Sequence, residues 1–250
     1  GSEMCIRDRY IRAYFWCIKS ISNILKISSL HIVGVSYKNA SAIERGKFSL
    51  DHTKSQELLL KAAELGIKSI VINSTCNRVE LYAYVNSFTQ IIDLLCDYSQ
   101  GKKTNFNKIG YTLEGEAAIE HLFKVGTGLD SQILGDFEII AQMRKSFKTS
   151  KDLGLVNPYF DRLFNSVTQA SKRIKNETKL STGATSVSFA AVRYILDNIE
   201  NLKEKKILLF GVGKIGRNTC ENLVKHTSNK QITLINRTQD KAKVIAGKFK

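Results

Sequence analysis

Three groups of residues in this 250-residue sequence have types and spacing that suit chemistry. The first is Cys76, set in Ser74-Thr75-Cys76-Asn77-Arg78 between two predicted strands. Loops held by rigid strands are where reactive groups tend to sit. A cation two residues away, Arg78, favours a thiolate, the nucleophilic form of the side chain. Read by itself, a lone cysteine beside an arginine is more often an inert small residue. The second group is Gly211-Val212-Gly213-Lys214-Ile215-Gly216, which follows an apolar strand and opens a helix. That context is what a dinucleotide-binding loop needs: a tight turn, close backbone approach to the pyrophosphate, and close helix–strand packing. The third is Asn236-Arg237-Thr238 at the end of the next strand. An NAD site places an acidic residue there; an uncharged Asn beside an Arg suits the 2′-phosphate of NADP instead. Glycines used only for packing and a solvated surface arginine are the plainer readings of these two. His121 heads the apolar run His121-Leu122-Phe123, and spacing alone does not set it above His31, His52 or His226.

The elements that must carry these groups follow from periodicity. His31 to Val35 reads as a strand, Thr53 to Leu65 as a helix ended by Gly66, and Ser69 to Asn73 as a second strand. Val79, Leu81, Ala83 and Val85 alternate with Glu80, Tyr82 and Tyr84, which predicts a strand with one buried face. Ser87 caps a helix running to about Ser99, closed by Gly101. This order predicts a small α+β sheet domain. Glu116 to Lys124 and Ser131 to Lys151 have helical spacing. Asn157-Pro158 starts a helix that buries Leu163, Phe164, Val167, Ala170 and Ile174. Thr185 to Asn198 is a further helix, carrying Val187, Ala190, Ala191, Tyr194 and Ile195. Strands at Lys206–Phe210 and Gln231–Ile235, with helices after each, form the opening β-α-β of a dinucleotide fold.

Composition sets limits. Hydrophobic residues at 43% and charged residues at 24% are ordinary for a globular chain with a core. A single proline argues against long disordered linkers. No apolar run reaches the ~18 residues of a membrane span. The net charge of +15 fits a polyanionic partner or a solvated cationic surface. The five cysteines, Cys5, Cys17, Cys76, Cys96 and Cys220, contain no C-x-x-C pair. Their odd number and scatter argue against a disulfide framework or a zinc site and fit a reducing cytoplasm. Residues 1–30 differ from the rest: basic and apolar from Tyr10 to Leu30, they read as a leader, an amphipathic transit segment or sequence foreign to the native chain.

From His31 to Lys250 the motifs occur in the order seen in the glutamyl-tRNA reductase family, which the chain resembles. The resemblance rests on Gly34-Val35-Ser36 with Ala40 and Arg45, on Ser74 to Glu80, on His121-Leu122-Phe123 leading to Gly128-Leu129-Asp130-Ser131, on Gly135-Asp136-Phe137-Glu138 with Gln142, and on Asn236-Arg237-Thr238. It departs from the family at Gly46, often Glu there, and at Asp136 and Glu138, where the family often has Glu and Gln. The resemblance implies an α/β protein: an N-terminal α+β catalytic domain over 31–156, then over 157–250 a helical connection and an incomplete Rossmann-type NADP-binding domain. In the family a dimerisation domain follows.

The resemblance also implies an activity, NADPH-dependent reduction of glutamyl-tRNA to glutamate-1-semialdehyde through a cysteinyl thioester, the first step of 5-aminolevulinate and tetrapyrrole synthesis. Cys76 is then the nucleophile, and His121 transfers a proton or orients the substrate. Thr75, Asn77, Arg78, Ser131, Asp136, Phe137, Glu138 and Gln142 fall where the family lines its glutamate site. By charge matching, Arg78 faces the substrate's side-chain carboxylate, and Asp136 or Glu138 its α-ammonium. Gly211, Val212, Gly213, Lys214, Ile215, Gly216, Asn236, Arg237 and Thr238 hold NADPH. The partners implied are glutamyl-tRNA, a second copy in the full-length protein, and an aminomutase that takes the product. Two rivals stand beside this reading: a shikimate-dehydrogenase-like NADP oxidoreductase, and a tRNA-binding fragment without catalysis.

Overall fold

Local signals place most elements where periodicity expects them. The computed structural model describes residues 30–177, 187–227 and 229–248. Residues 1–29 of the leader, with Cys5 and Cys17, and the expected helix start at Thr185 lie outside those residues, while Leu30 opens the first strand. The described residues fall into two compact units, one of 30–132 with 138–171 and one of 133–137 with 172–248.

The first unit is built on a four-stranded sheet of β1 (Leu30–Ser36), β2 (Ile70–Ser74), β3 (Arg78–Tyr84) and β4 (Tyr111–Glu114). The order is β2-β3-β1-β4, and every neighbouring pair is antiparallel. One face packs on α2 (His52–Glu64) and α3 (Phe88–Tyr98) through a core of Val33, Val35, Leu58, Ile70, Ile72, Leu81 and Leu95. The other packs on α5 (Gly115–Gly126), α6 (Glu138–Asp152) and the first part of α7 (Pro158–Glu177) through Ile32, Val71, Tyr82, Leu122, Met143, Phe160 and Val167. Two short helices, α1 (Ala42–Lys47) and α4 (Lys103–Ile109), complete the unit.

The caps explain the boundaries. Asp51 accepts from Lys54 N–H at the start of α2, and Ser87 accepts from Thr89 N–H at the start of α3. Asn157 Oδ1 accepts from Phe160 N–H at 2.8 Å. Pro158 occupies the first helical position of α7, where its missing N–H costs nothing.

Four expectations are corrected. β3 is buried on both faces, not one: Glu80 and Tyr82 are as buried as Leu81, because a second helical layer covers the face that alternation assigned to solvent. Helix α6 begins at Glu138, not Ser131; Gly135 at φ +78° breaks any helix across 131–137. Ile174 is only half-buried, while Phe160 and Ser171 join the buried stripe of α7. The buried face of α8 (Val187–Asn198) is marked by Ser188 and Val192, and Tyr194 is 70% exposed. The short elements α1, α4 and β4 carry too few residues for periodicity to reveal. The two compact units divide at 171/172, with Phe160, Leu163, Phe164 and Val167 completing the first core.

In the second unit β5 (Ile207–Phe210) and β6 (Ile232–Ile235) pair in parallel, joined by α9 (Lys214–Thr227) and followed by α10 (Gln239–Gly247). Val192, Leu209, Val212, Cys220, Leu223, Ala242 and Ile245 form its core.

Candidate active site and a candidate nucleotide loop

The hairpin between β2 and β3 places Cys76 at the tip of the sheet. Ser74 pairs with Val79, and Thr75 N–H donates to the Arg78 carbonyl at 2.8 Å, which leaves Cys76 and Asn77 as the two central residues of the turn. The Thr75 hydroxyl oxygen accepts from the N–H groups of Asn77 at 3.3 Å and Arg78 at 3.2 Å. The carbonyls of the turn are held from outside: Tyr37 N–H donates to Asn77 O at 2.9 Å, and Arg45 Nε donates to Cys76 O at 2.8 Å. The Cys76 residue itself is exposed.

Arg78 runs inward. Only 2% exposed, its guanidinium donates to Glu80 Oε1 at 2.9 Å and to Asp130 Oδ2 at 2.9 Å, and also to the Asp130 backbone carbonyl. Asp130 receives Lys38 on its other oxygen. Glu80, fully buried, accepts as well from the hydroxyls of Tyr82 and Tyr111 and lies 2.7 Å from His121 Nε2. A continuous polar chain therefore leads from the Cys76 turn through Arg78 and Glu80 to His121.

Gly34 makes this chain possible. It sits on β1 between its partners Glu80 on β3 and Tyr111 on β4. A Cβ there would come within 2.8 Å of both side chains. Lacking one, Gly34 lets the Tyr111 hydroxyl reach across the central strand to Glu80.

Burial and charge oppose each other in this network. Burial acts to raise the Glu80 carboxyl, but the charge of Arg78 and then of His121 outweighs it and holds the group below the ordinary carboxylate range. Burial acts to lower Arg78, but Glu80, Tyr82, Tyr111 and the hydrogen bond to Asp130 together more than reverse this, so the guanidinium stays charged. For Asp130, burial is outweighed by hydrogen bonds from Lys38 and Arg78, and its carboxyl too is held low. Tyr111 and Tyr82 are both raised, by burial and then by the Glu80 charge, so they remain hydroxyl donors.

The structure thus joins Cys76, Thr75, Asn77, Arg78 and His121. It gives Arg78 two buried carboxylate partners where charge matching gave it a substrate carboxylate. Ser131 is half-buried in the segment after α5, Glu138 opens α6, and Gln142 is exposed on α6. Asp136 and Phe137 belong to the second unit, where Lys175 lies over the Phe137 ring. Spacing alone did not single out Glu80, Tyr111, Asp130, Lys38 or Arg45. One signal was present: Arg78 and Glu80 are two apart on one strand, hence on one face and of opposite charge.

The glycine loop has the shape its residues suggest. Gly211 has φ +86°, and a Cβ on Gly216 would fall 1.9 Å from the Gly211 carbonyl oxygen, so helix α9 approaches the loop backbone closely. A Cβ on Gly213 would meet nothing within 4 Å, which leaves room beside the backbone. Asn236 Oδ1 accepts from Val212 N–H at 3.3 Å and its amide donates to Thr238 O at 2.8 Å, tying the end of β6 to the loop. The loop, Lys214 at the start of α9, Ile215, and the exposed Arg237 stand together in this unit.

Comparison with known proteins agrees with both units. The sequence model described as "Glutamyl-tRNAGlu reductase, N-terminal domain" matches residues 33–178, and one described as "Shikimate / quinate 5-dehydrogenase" matches residues 193–250. A glutamyl-tRNA reductase of Christiangramia forsetii is 60% identical over 88% of this chain and 52% of its own length. That of Bacillus subtilis is 38% identical over 87% of this chain and 49% of its own. The solved glutamyl-tRNA reductase of Methanopyrus kandleri superposes with a TM-score of 0.59 at 26% identity, covering 89% of this chain and 53% of that one. The chain spans about half the length of the curated relatives it matches.

Proposed function

The chain belongs to the glutamyl-tRNA reductase family, and from that premise we propose that it forms a glutamyl thioester on Cys76 and carries the first part of an NADPH site for the reduction that follows. The single observation that best supports this reading is the Cys76 turn: an exposed thiol on a braced hairpin, backed by a buried charge network ending in a histidine.

The Cys76 thiolate attacks the ester carbonyl that joins glutamate to the 3′ end of tRNA. The C–O bond to the ribose breaks, the tRNA leaves as the alcohol after taking a proton, and a C–S bond remains. His121, its ring held by Glu80 through Nε2, supplies or relays that proton or orients the ester. Thr75 and Asn77 shape the turn, Arg78 ties it to the buried network, and Ser131, Asp136, Phe137, Glu138 and Gln142 fall where the family lines its glutamate site.

The residues fit a nucleotide. Gly211 to Gly216 offer an open backbone for a pyrophosphate, and Arg237 with Asn236 and Thr238 would take a 2′-phosphate. NADPH, when bound, would supply the hydride that takes the thioester carbonyl to the aldehyde level, the C–S bond breaking to return Cys76 as the thiolate and release glutamate-1-semialdehyde. The match of residues 193–250 to a dehydrogenase family supports this segment as a nucleotide binder within the larger protein, a Rossmann-type domain. The net charge of +15 suits a tRNA partner. No helix among the described residues is long and apolar enough to cross a membrane. The free thiols Cys76, Cys96 and Cys220 suit the cytoplasm. A homodimer and a product-accepting aminomutase belong to the full-length protein.

The test is intact-protein mass measurement after brief mixing with glutamyl-tRNA and no NADPH. Wild type gains the mass of one glutamyl residue, and Cys76→Ala gains none. Because the residue is exposed, that variant keeps its stability. Exposed substitutions away from special features change it by no more than about 0.5 kcal/mol. A folded, tRNA-binding wild type that gains no mass would favour the non-catalytic reading.

A further inference from the structure

Cys76 and Asn77 form a two-residue hairpin loop, yet neither has a positive φ. The turns whose twist matches that of paired strands need positive φ at one or both of these positions. This turn is therefore not one that the strands impose by themselves, and other groups must hold it. Its two carbonyl oxygens show what they are. Asn77 O takes the backbone N–H of Tyr37, a contact that almost any sequence would supply. Cys76 O takes Arg45 Nε, a contact that depends on one side chain.

Arg45 is fixed in turn. Its Nη1 donates to the Ala40 carbonyl at 3.0 Å, so one planar fork spans two backbone oxygens from different segments. It lies on α1, whose start is set by a reciprocal capping box between Ser41 and Glu44. Arg45 is half-buried while Cys76 is exposed, and the bond reaches the cysteine's own carbonyl and leaves the thiol to its substrate.

We propose that Arg45 is the positioning residue of the nucleophile: it fixes the backbone of Cys76 so that the thiolate meets the face of the ester carbonyl. The inference rests on the thioester reading, because it assigns a role relative to that attack. Misplacing a reacting atom by about an ångström costs on the order of a hundredfold in rate. Loss of one hydrogen bond to a charged donor costs roughly ten- to a hundredfold.

The experiment is single-turnover formation of the glutamyl adduct across a range of glutamyl-tRNA concentrations, with wild type, Arg45→Gln and Arg45→Lys. Amide exchange of the peptide spanning the turn is measured alongside. In Arg45→Gln the limiting rate falls roughly ten- to a hundredfold, the half-saturating concentration stays within about threefold, and exchange rises at 75–78 but not in the rest of β2 and β3. Arg45→Lys stays within about threefold of Arg45→Gln, since an ammonium keeps the charge but cannot span both carbonyls. Should the Gln variant fail to fold, the Lys variant carries the same comparison. An unchanged limiting rate, a loss confined to the half-saturating concentration, or full rescue by lysine would each overturn the proposal. If wild type forms no adduct, the thioester reading fails instead, and unchanged exchange at the turn would separately remove the bracing role.

Discussion

Replacing Glu80 with glutamine removes one negative charge from a fully buried site and changes almost no volume. Glu80 Oε1 lies 2.9 Å from Arg78 Nη1. At an effective dielectric of about 20, that contact is worth about 6 kcal/mol of Coulomb energy. Part of this survives, because a glutamine carbonyl still accepts and Asp130 still faces the guanidinium. The amide nitrogen, however, must face either Tyr82, whose hydroxyl then has to turn from donor to acceptor, or the group of Arg78, Tyr111 and His121, where the guanidinium can only donate. Breaking one side of a buried pair in this way costs about 3–5 kcal/mol. Native-state hydrogen exchange of the β1 and β3 amides reads the loss within the first unit, independently of the second. The pH dependence has a definite sign. Glu80 is held below its ordinary value of 4.5 in the folded chain, so its stabilisation is complete above that value and is withdrawn as the pH falls toward the folded value. Glu80→Gln should therefore lose stability at neutral pH and show a shallower acid decline, with Asp130 supplying what remains. A loss below about 1 kcal/mol, the range of an exposed pair, or an acid profile identical to wild type would refute the reasoning.

Two further substitutions test other parts of the structure. Gly216→Ala places a Cβ 1.9 Å from the Gly211 carbonyl oxygen. The second unit should then lose about 1–3 kcal/mol and any NADPH-dependent stabilisation, read by thermal unfolding with and without the nucleotide. Asn157→Ala removes the side-chain acceptor at the start of α7. It should cost about 1 kcal/mol in urea unfolding, with no effect on Cys76 reactivity.

The elements nearest to a strong local signal were legible in the sequence. Strands β1, β2, β5 and β6, helices α2 and α3, the Asn157-Pro158 start of α7 and the glycine loop rest on nearest-neighbour chemistry: caps, breakers and alternation. Cys76 and His121 were singled out by the resemblance of their motifs, and the structure links the Cys76 turn to His121 through Arg78 and Glu80. What the sequence could not decide was the second layer. Alternation in β3 gave Glu80 and Tyr82 to solvent, since a period of two says that faces differ without saying what covers them. Whether Glu80 is a surface carboxylate or the centre of a buried network depends on α5, α6 and α7 packing over it, and on Gly34 opening the space between β3 and β4. Arg78 shows the same division. Its charge and its place beside Cys76 were plain in the sequence, but the direction of its side chain was set by Asp130, 52 residues further along the chain. Contacts at that separation come from the packing of whole elements, and only the tertiary structure brings them together.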